Sequence, residues 1–348
     1  MERFIKHHLI TNNALRGPLY REAVRRCATV LPYAPFAIYL DPCNACNLKC
    51  TFCAQSNWGR RERGLMKWEL YEKTIQEVLE LKPSRLFLFC YGEPTLHPDI
   101  GRMVKFAVDA GLNVVLDTNA AALTERKIRE LIEGGLHVCT MSFDTADREE
   151  YNRMRVGSDF DRVLANIHMA VDMRDRLGRR NPRFILQEIV PYAKGVKPEN
   201  SQAYRNLFKG YDVVFGVRFM HNYAGQGIEK KFALIQREGV SHCSQLYRRL
   251  VVNFDGKIHA CCLDPEGYNI VGDLTQGDTV AGAWNSPQMI KLRECTNKGE
   301  VSNVLPCNSC DQLTRRPRPS RSRSSQLLSS LLWQIAEARL RIRGISRT

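Results

Sequence analysis

The sequence predicts an α/β fold built on a parallel sheet and followed by a smaller cysteine-rich domain. Three observations carry this. From about residue 36, short apolar runs rich in β-branched and aromatic residues alternate with amphipathic stretches, six times over. That rhythm stops near residue 225, and 243–310 then hold six of the 13 cysteines. The chain, at 348 residues, is long enough to bury one large core and a second, smaller one.

Residues 1–35 read as a helical lead-in. Strands are expected at 36–40, 85–90, 113–117, 137–142, 183–190 and 213–220. Between them, Tyr71, Ile75, Val78 and Leu79 fall on one helical face within 67–81. Thr124 is placed to cap a helix over 125–133, which Gly134 and Gly135 end. A further amphipathic helix over 160–177 closes on Gly178. Successive βα units of this kind imply parallel strands. In the cysteine-rich part, a short strand is expected at 250–254 and a helix at 288–296. Residues 315–325 are low in complexity and expected to be disordered, with an amphipathic helix after them at 326–343.

Composition narrows the class. No apolar run approaches the roughly 18 residues of a membrane-spanning helix. The start, MERFIKHHLITNN, lacks the apolar core of a secretory signal. The cysteines cluster as paired sets, which reads as metal or cluster ligation in a reducing cytoplasm rather than as disulfides. The net charge of +14 is concentrated at the end, where 314–348 hold nine arginines against Glu337 alone. That basic tail is a candidate contact for nucleic acid or an anionic membrane surface.

The most informative stretch is 41–53, Asp-Pro-Cys-Asn-Ala-Cys-Asn-Leu-Lys-Cys-Thr-Phe-Cys. Cys46, Cys50 and Cys53 are spaced C-x3-C-x2-C, three thiolates on one loop without a matching fourth. A closed zinc site takes four ligands. An iron–sulfur cluster held by three thiolates leaves one iron open. Cys43 reads as incidental, and Cys27, Cys90 and Cys139 as buried cysteines.

With Leu48 and Phe52 between its cysteines, this loop resembles that of the radical S-adenosylmethionine (SAM) enzymes. The resemblance implies a partial (β/α)6 TIM-like barrel over 36–225, with a SAM-binding 4Fe-4S cluster at the carboxyl ends of the strands. It also implies roles for the strand ends. Tyr91-Gly92-Glu93-Pro94 resembles the family's Gly-Gly-Glu-Pro, with Tyr91 in place of the first glycine. Its carbonyls and Glu93 are expected to face the SAM amino group. Asn119 and Ser142 match positions that line the SAM pocket, and Arg155 matches an arginine that pairs with the SAM carboxylate. Gln187, His221 and Cys90 are candidates for catalysis at the same mouth, with no catalytic role assigned.

The later cysteines resemble the SPASM domain, in its shorter twitch form, over 226–313. Cys243, Cys261, Cys307 and Cys310 would hold a second, auxiliary 4Fe-4S cluster. Their spacing is similar to that of 2-deoxy-scyllo-inosamine dehydrogenase. Cys262 is set aside because adjacent side chains diverge, and Cys295 because it lies on a helix without a partner. Four thiolates could equally close a zinc ribbon.

The resemblance implies hydrogen abstraction from a small molecule, with oxidation or epimerisation of a sugar, aminocyclitol or nucleotide-sugar alcohol, and a flavodoxin- or ferredoxin-type electron donor. The alternatives are a peptide or protein maturase and an RNA- or membrane-associated radical SAM enzyme. Only about 35 residues precede the barrel, fewer than the leader-binding domain that peptide-modifying members carry. The basic loop Arg60-Arg61-Glu62-Arg63 is a further candidate contact for a phosphate or carboxylate.

Overall fold

The computed structural model describes residues 9–57, 62–190, 201–225, 242–313 and 323–341. Arg60, Arg61 and most of the low-complexity stretch (315–322) lie outside the described residues. The chain forms two compact units. One comprises Leu40–Met66 and Leu86–Leu234; the other comprises Met1–Tyr39, Lys67–Arg85 and Ile235–Thr348.

In the first unit, strands β2 (Arg85–Phe87), β3 (Val114–Thr118), β4 (Val138–Ser142), β5 (Arg183–Val190) and β6 (Val214–Phe219) are neighbours in that order. All pair in parallel. Helices α3 (Ile100–Asp109), α4 (Glu125–Glu133), α5 (Arg148–Met154), α6 (Phe160–Arg176) and α7 (Gln202–Leu207) lie between them in sequence. This is the α/β class that the sequence predicts, the parallel repeat of a partial (β/α)6 TIM-like barrel. Local chemistry sets the boundaries. Thr124 caps α4 by accepting from the Lys127 amide, and Asp159 caps α6 by accepting from the Arg162 amide at 2.7 Å. Behind β4, Phe143 packs on Tyr151, Phe160, Tyr204 and Phe208, with ring centres 5.0–5.9 Å away. β2 stops short of the expected 85–90, because the chain leaves the ladder to make the Tyr91–Pro94 turn.

Strand register puts five polar side chains on one face. Asp117 pairs with Thr140, Ser142 with Gln187, Gln187 with Gly216, and Ile189 with Arg218. Side chains alternate along a strand, so Asp117, Thr140, Ser142, Gln187 and Arg218 share a side.

The second unit holds α1 (Asn13–Arg26), α2 (Trp68–Leu81), β1 (Ala37–Leu40, up to Tyr39) and the antiparallel strands β7 (Arg249–Val252), β8 (Lys257–His259) and β9 (Ile270–Asp273), in the order β1-β7-β8-β9. Helices α8 (Val280–Trp284), α9 (Pro287–Lys298) and α10 (Arg323–Arg341) follow. Buried arginines tie it together. Arg16 donates to the carbonyls of Thr11, Pro35, Leu81 and Lys82, which closes the end of α2. Arg293 donates to the carbonyls of Thr29, Leu246 and Trp284 and lies 4.7 Å from the Trp284 ring centre. Burial pulls both guanidinium groups down to about 10. Their carbonyl partners offset a desolvation that a small core could not otherwise absorb.

Candidate functional site

The Cys46–Cys53 loop is held by backbone on two sides. The Lys49 amide donates to the Val156 carbonyl at 2.8 Å and the Thr51 amide to the Met154 carbonyl at 2.9 Å. Gly157 makes that close run possible; its φ is +91° and the Asn47 carbonyl lies 3.4 Å from where a Cβ would stand. On the other side the Glu93 amide donates to the Ala45 carbonyl at 2.8 Å. A Cβ on Gly92 would stand 2.1 Å from the Cys43 carbonyl oxygen, so only glycine fits against the loop there. Pro94 follows at the start of the turn Pro94–Leu96.

Glu93 is held from within the protein. Its carboxylate is buried and accepts from the Thr95 amide, the Thr95 hydroxyl, the Thr118 hydroxyl and the Asn119 amide, at 2.6–3.0 Å. Four protein donors hold it, three on one oxygen and one on the other, so it joins the ends of β2 and β3. Asn119 then points back at the loop, with Nδ2 3.0 Å from Asn47 Oδ1 and 3.7 Å from Cys46 Sγ.

Arg155 is likewise engaged within the protein. Its Nε and one terminal nitrogen form a fork onto Asp144, and its guanidinium lies 5.5 Å from the Phe52 ring centre. It backs the cysteine loop, where its charge pulls Cys50 down against the larger effect of burial. Ser142 and Gln187 pair at the ends of β4 and β5. Gln187 Nε2 lies 3.6 Å from where a Gly216 Cβ would be. His221 follows β6 and its Nδ1 accepts from the Tyr223 amide at 3.2 Å. Cys90 is half-buried just beyond β2.

Sequence reasoning missed Asp117, Arg218 and Tyr223. The Tyr223 hydroxyl donates to the Cys53 thiol. Tyr223 and Ala224 both have positive φ, 48° and 55°, a strained backbone retained beside the cysteine loop. Asp117 is raised to about 6, chiefly by burial; Thr140 donates to it and Arg218 opposes the rise, while Glu93 adds to it. A raised carboxyl costs stability once it ionises, so its penalty appears as pH climbs from about 4 to about 6. In the metal-free protein, the melting temperature of Asp117→Asn relative to wild type should therefore increase over that window. A difference that stays flat from pH 4 to 7 would contradict it.

A cavity of about 240 Å3 opens among Thr51, Phe52, Asp144, Glu188, Val190 and Met220. It joins the cysteine loop to the ends of β4, β5 and β6.

The thiols show a shared preparation. The amide two residues on donates to Cys46 Sγ at 3.4 Å, to Cys261 Sγ at 3.3 Å and to Cys310 Sγ at 3.4 Å. The Gln55 amide does the same for Cys53, and the Gln245 amide for Cys243. Such N–H···S bonds disperse the charge of a ligating thiolate and tune a cluster. Burial raises Cys46 and Cys50 to about 11 each, so these thiols are protonated near neutral pH and must lose protons on ligation. Cys307 sits in the same group as Cys243 and Cys310 and is likewise raised by burial.

Cys262 corrects the sequence reading. Its side chain does not diverge: the Cys261 thiol hydrogen-bonds it, and that bond together with Arg249 holds Cys262 down. A tight turn after β8 brings the neighbours together. Cys262 differs from the others in its partners, which are a thiol, a guanidinium and its own amide. Cys295 lies on α9, as expected. Among the described residues no three Cys, His, Asp or Glu side chains close on the single point that one metal ion needs.

Residues 40–176 match the Radical SAM superfamily, and 243–311 match an iron–sulfur cluster-binding domain, SPASM. Over 155 residues the chain is 28% identical to the tungsten-containing aldehyde ferredoxin oxidoreductase cofactor-modifying protein of Pyrococcus furiosus. That stretch is 44% of this chain and 43% of that protein, so the chain spans under half the length of this relative. The fold is similar to that of BtrN in complex with AdoMet and 2-DOIA, with a TM-score of 0.56, 17% identity, and 82% and 96% of the two chains covered. It is also similar to Streptococcus suis SuiB bound to precursor peptide SuiA, with a TM-score of 0.60, 13% identity, and 87% and 79% covered.

Proposed function

Because this chain carries a radical SAM domain and, after it, a SPASM iron–sulfur domain, we propose that it oxidises or epimerises an alcohol carbon of a small molecule: a sugar, an aminocyclitol or a nucleotide sugar. When bound, SAM and the 4Fe-4S clusters supply one-electron chemistry, a 5′-deoxyadenosyl radical that removes a hydrogen atom and an acceptor for the electron that an oxidised substrate gives up.

The chain's residues divide the remaining work. Cys46, Cys50 and Cys53 hold the first cluster and leave one iron for SAM. The carbonyls of Tyr91 to Pro94 receive the SAM amino group, and Asn119 and Ser142 line its pocket. Arg155 and Glu93 are positioning residues, holding the loop and the strand ends. Asp117 takes the hydroxyl proton of the substrate, a role that a carboxyl near neutral pH suits. Gln187 and Ser142 share its face of the sheet and orient hydroxyls. Cys243, Cys261, Cys307 and Cys310 hold the auxiliary cluster, and a flavodoxin- or ferredoxin-type protein supplies the starting electron.

One observation carries this reading: the chain prepares two separate thiolate sets with the same amide-to-sulfur bond. A radical source alone needs one set; a second suits a reaction that must also remove an electron.

The test is isotopic. Reconstituted enzyme is incubated anaerobically with SAM, dithionite and a panel of carbon-deuterated aminocyclitols, sugars and sugar nucleotides. Deuterium entering 5′-deoxyadenosine, with a carbonyl or an inverted carbon in the product, is the expected result. Transfer from a deuterated peptide and from none of the small molecules would make the enzyme a maturase.

The same reading sorts the adjacent cysteines. Cys261→Ala should lose about four irons per chain, the auxiliary set, while Cys262→Ala keeps them. Equal loss from both variants, by iron assay and electron paramagnetic resonance, would place both thiols on the metal.

A further inference from the structure

Helix α10 has two unlike faces. On one, Ser329, Trp333 and Ala336 are buried against α1. The Arg26 guanidinium stands 5.9 Å from the Trp333 ring centre and donates to Ser330 Oγ at 3.2 Å. On the other, Leu327, Leu331 and Ile335 are 71%, 55% and 48% exposed. Four-residue spacing stacks the three in one row along the helix. Among the described residues eight large hydrophobic side chains are exposed, and three of them form this row. It is therefore a patch rather than scatter. The inner face already has its partner in α1, so the row is not a core face left uncovered.

The sequence around the row is strongly basic. Residues 314–348 carry nine arginines and one glutamate. No described helix is long and apolar enough to cross a membrane. An aliphatic row on a basic helix has the chemistry of a segment lying in the plane of an anionic bilayer, with its apolar side chains at the acyl boundary and its arginines among the head groups. Nucleic acid would use the charge but leave the leucines in water. A second copy would cover the leucines but bring two basic tails together.

We propose that α10 docks this protein in the plane of an anionic phospholipid surface, through Leu327, Leu331 and Ile335. This holds whatever the substrate, because none of these residues belongs to the site described above.

The test uses the full chain with its clusters. It is sedimented with vesicles of pure phosphatidylcholine and with vesicles containing about 30% phosphatidylglycerol, at about 0.1 M salt. Binding to the anionic vesicles should be at least about tenfold tighter than to the neutral ones. The triple variant Leu327→Ser, Leu331→Ser, Ile335→Ser should lose about tenfold or more of that binding, with SAM cleavage unchanged. As a second readout, Ile335→Trp should shift its emission to the blue on adding anionic vesicles. Three results would overturn the proposal. One is no binding to anionic vesicles. Another is binding that survives the triple substitution, which is adsorption by charge alone. The third is a dimer in vesicle-free solution that the triple substitution dissociates, which makes the row an interface between copies.

Discussion

Replacing Cys46, Cys50 and Cys53 together with alanine should remove about four of roughly eight irons per chain. It should also lower 5′-deoxyadenosine formation by at least about a thousandfold, to background. With all three replaced, Cys43 is the one thiol left on the loop, and a single thiolate does not hold a four-iron cluster. Asn119, Asn47 and the Tyr223 hydroxyl surround them, and none of these is a cluster ligand of comparable affinity. The backbone bonds from Lys49 and Thr51 to Val156 and Met154 do not use the cysteine side chains. The variant should therefore fold and keep its auxiliary irons. Iron assay, electron paramagnetic resonance and product chromatography check the three statements separately. Residual SAM cleavage with four irons present would move the radical chemistry to the other cysteine set, and the proposed division between the two sets would fail.

Glu93→Gln should destabilise the barrel unit by about 3 kcal/mol or more, and it should do so by inverting one hydrogen bond. The native carboxylate only accepts: one oxygen takes the Thr95 amide and two threonine hydroxyls, and the other takes the Asn119 amide at 2.7 Å. A glutamine must put its NH2 group at one of these oxygens. Placed at the second, it sets two donors against each other in a buried space, and the Asn119 amide loses its partner. Because Asn119 also reaches Cys46 and Asn47, the cysteine loop should loosen with it. Amide hydrogen exchange reads this locally: protection should fall at Asn119 and along 45–53, while the Arg16 and Arg293 regions keep theirs. Unchanged protection at Asn119 would mean that the carboxylate is not what joins the two strand ends.

These expectations rest on different kinds of information. The cysteine loop was legible because its signal is local. Three thiolates at fixed spacing need no partner elsewhere in the chain to be recognised, and the strand and helix pattern from 36 to 220 follows from short-range periodicity in the same way. The caps Thr124 and Asp159 are equally local. Glu93 and Arg155 were legible as positions and not as partners. The motif marks them, but which way each side chain turns depends on Thr118, Asn119 and Asp144, which other strands deliver. Asp117 and Arg218 carried no motif at all. They meet because β3, β4, β5 and β6 pair in one register, and a shift of one residue would send Asp117 to the opposite face.

Cys261 and Cys262 show the limit most sharply. Neighbours in an extended strand point apart, so the sequence argued for divergence; a turn after β8 overrides that rule and brings the thiols into contact. The row on α10 was likewise visible as a helical face, but not which side of the helix was free. The sequence alone determined the fold class, the C-x3-C-x2-C spacing of the cysteine loop and the charge of the tail, because each depends on neighbours along the chain. Only the tertiary structure decided where carboxylates, guanidinium groups and exposed leucines face, because those orientations are fixed by residues distant in sequence and close in space.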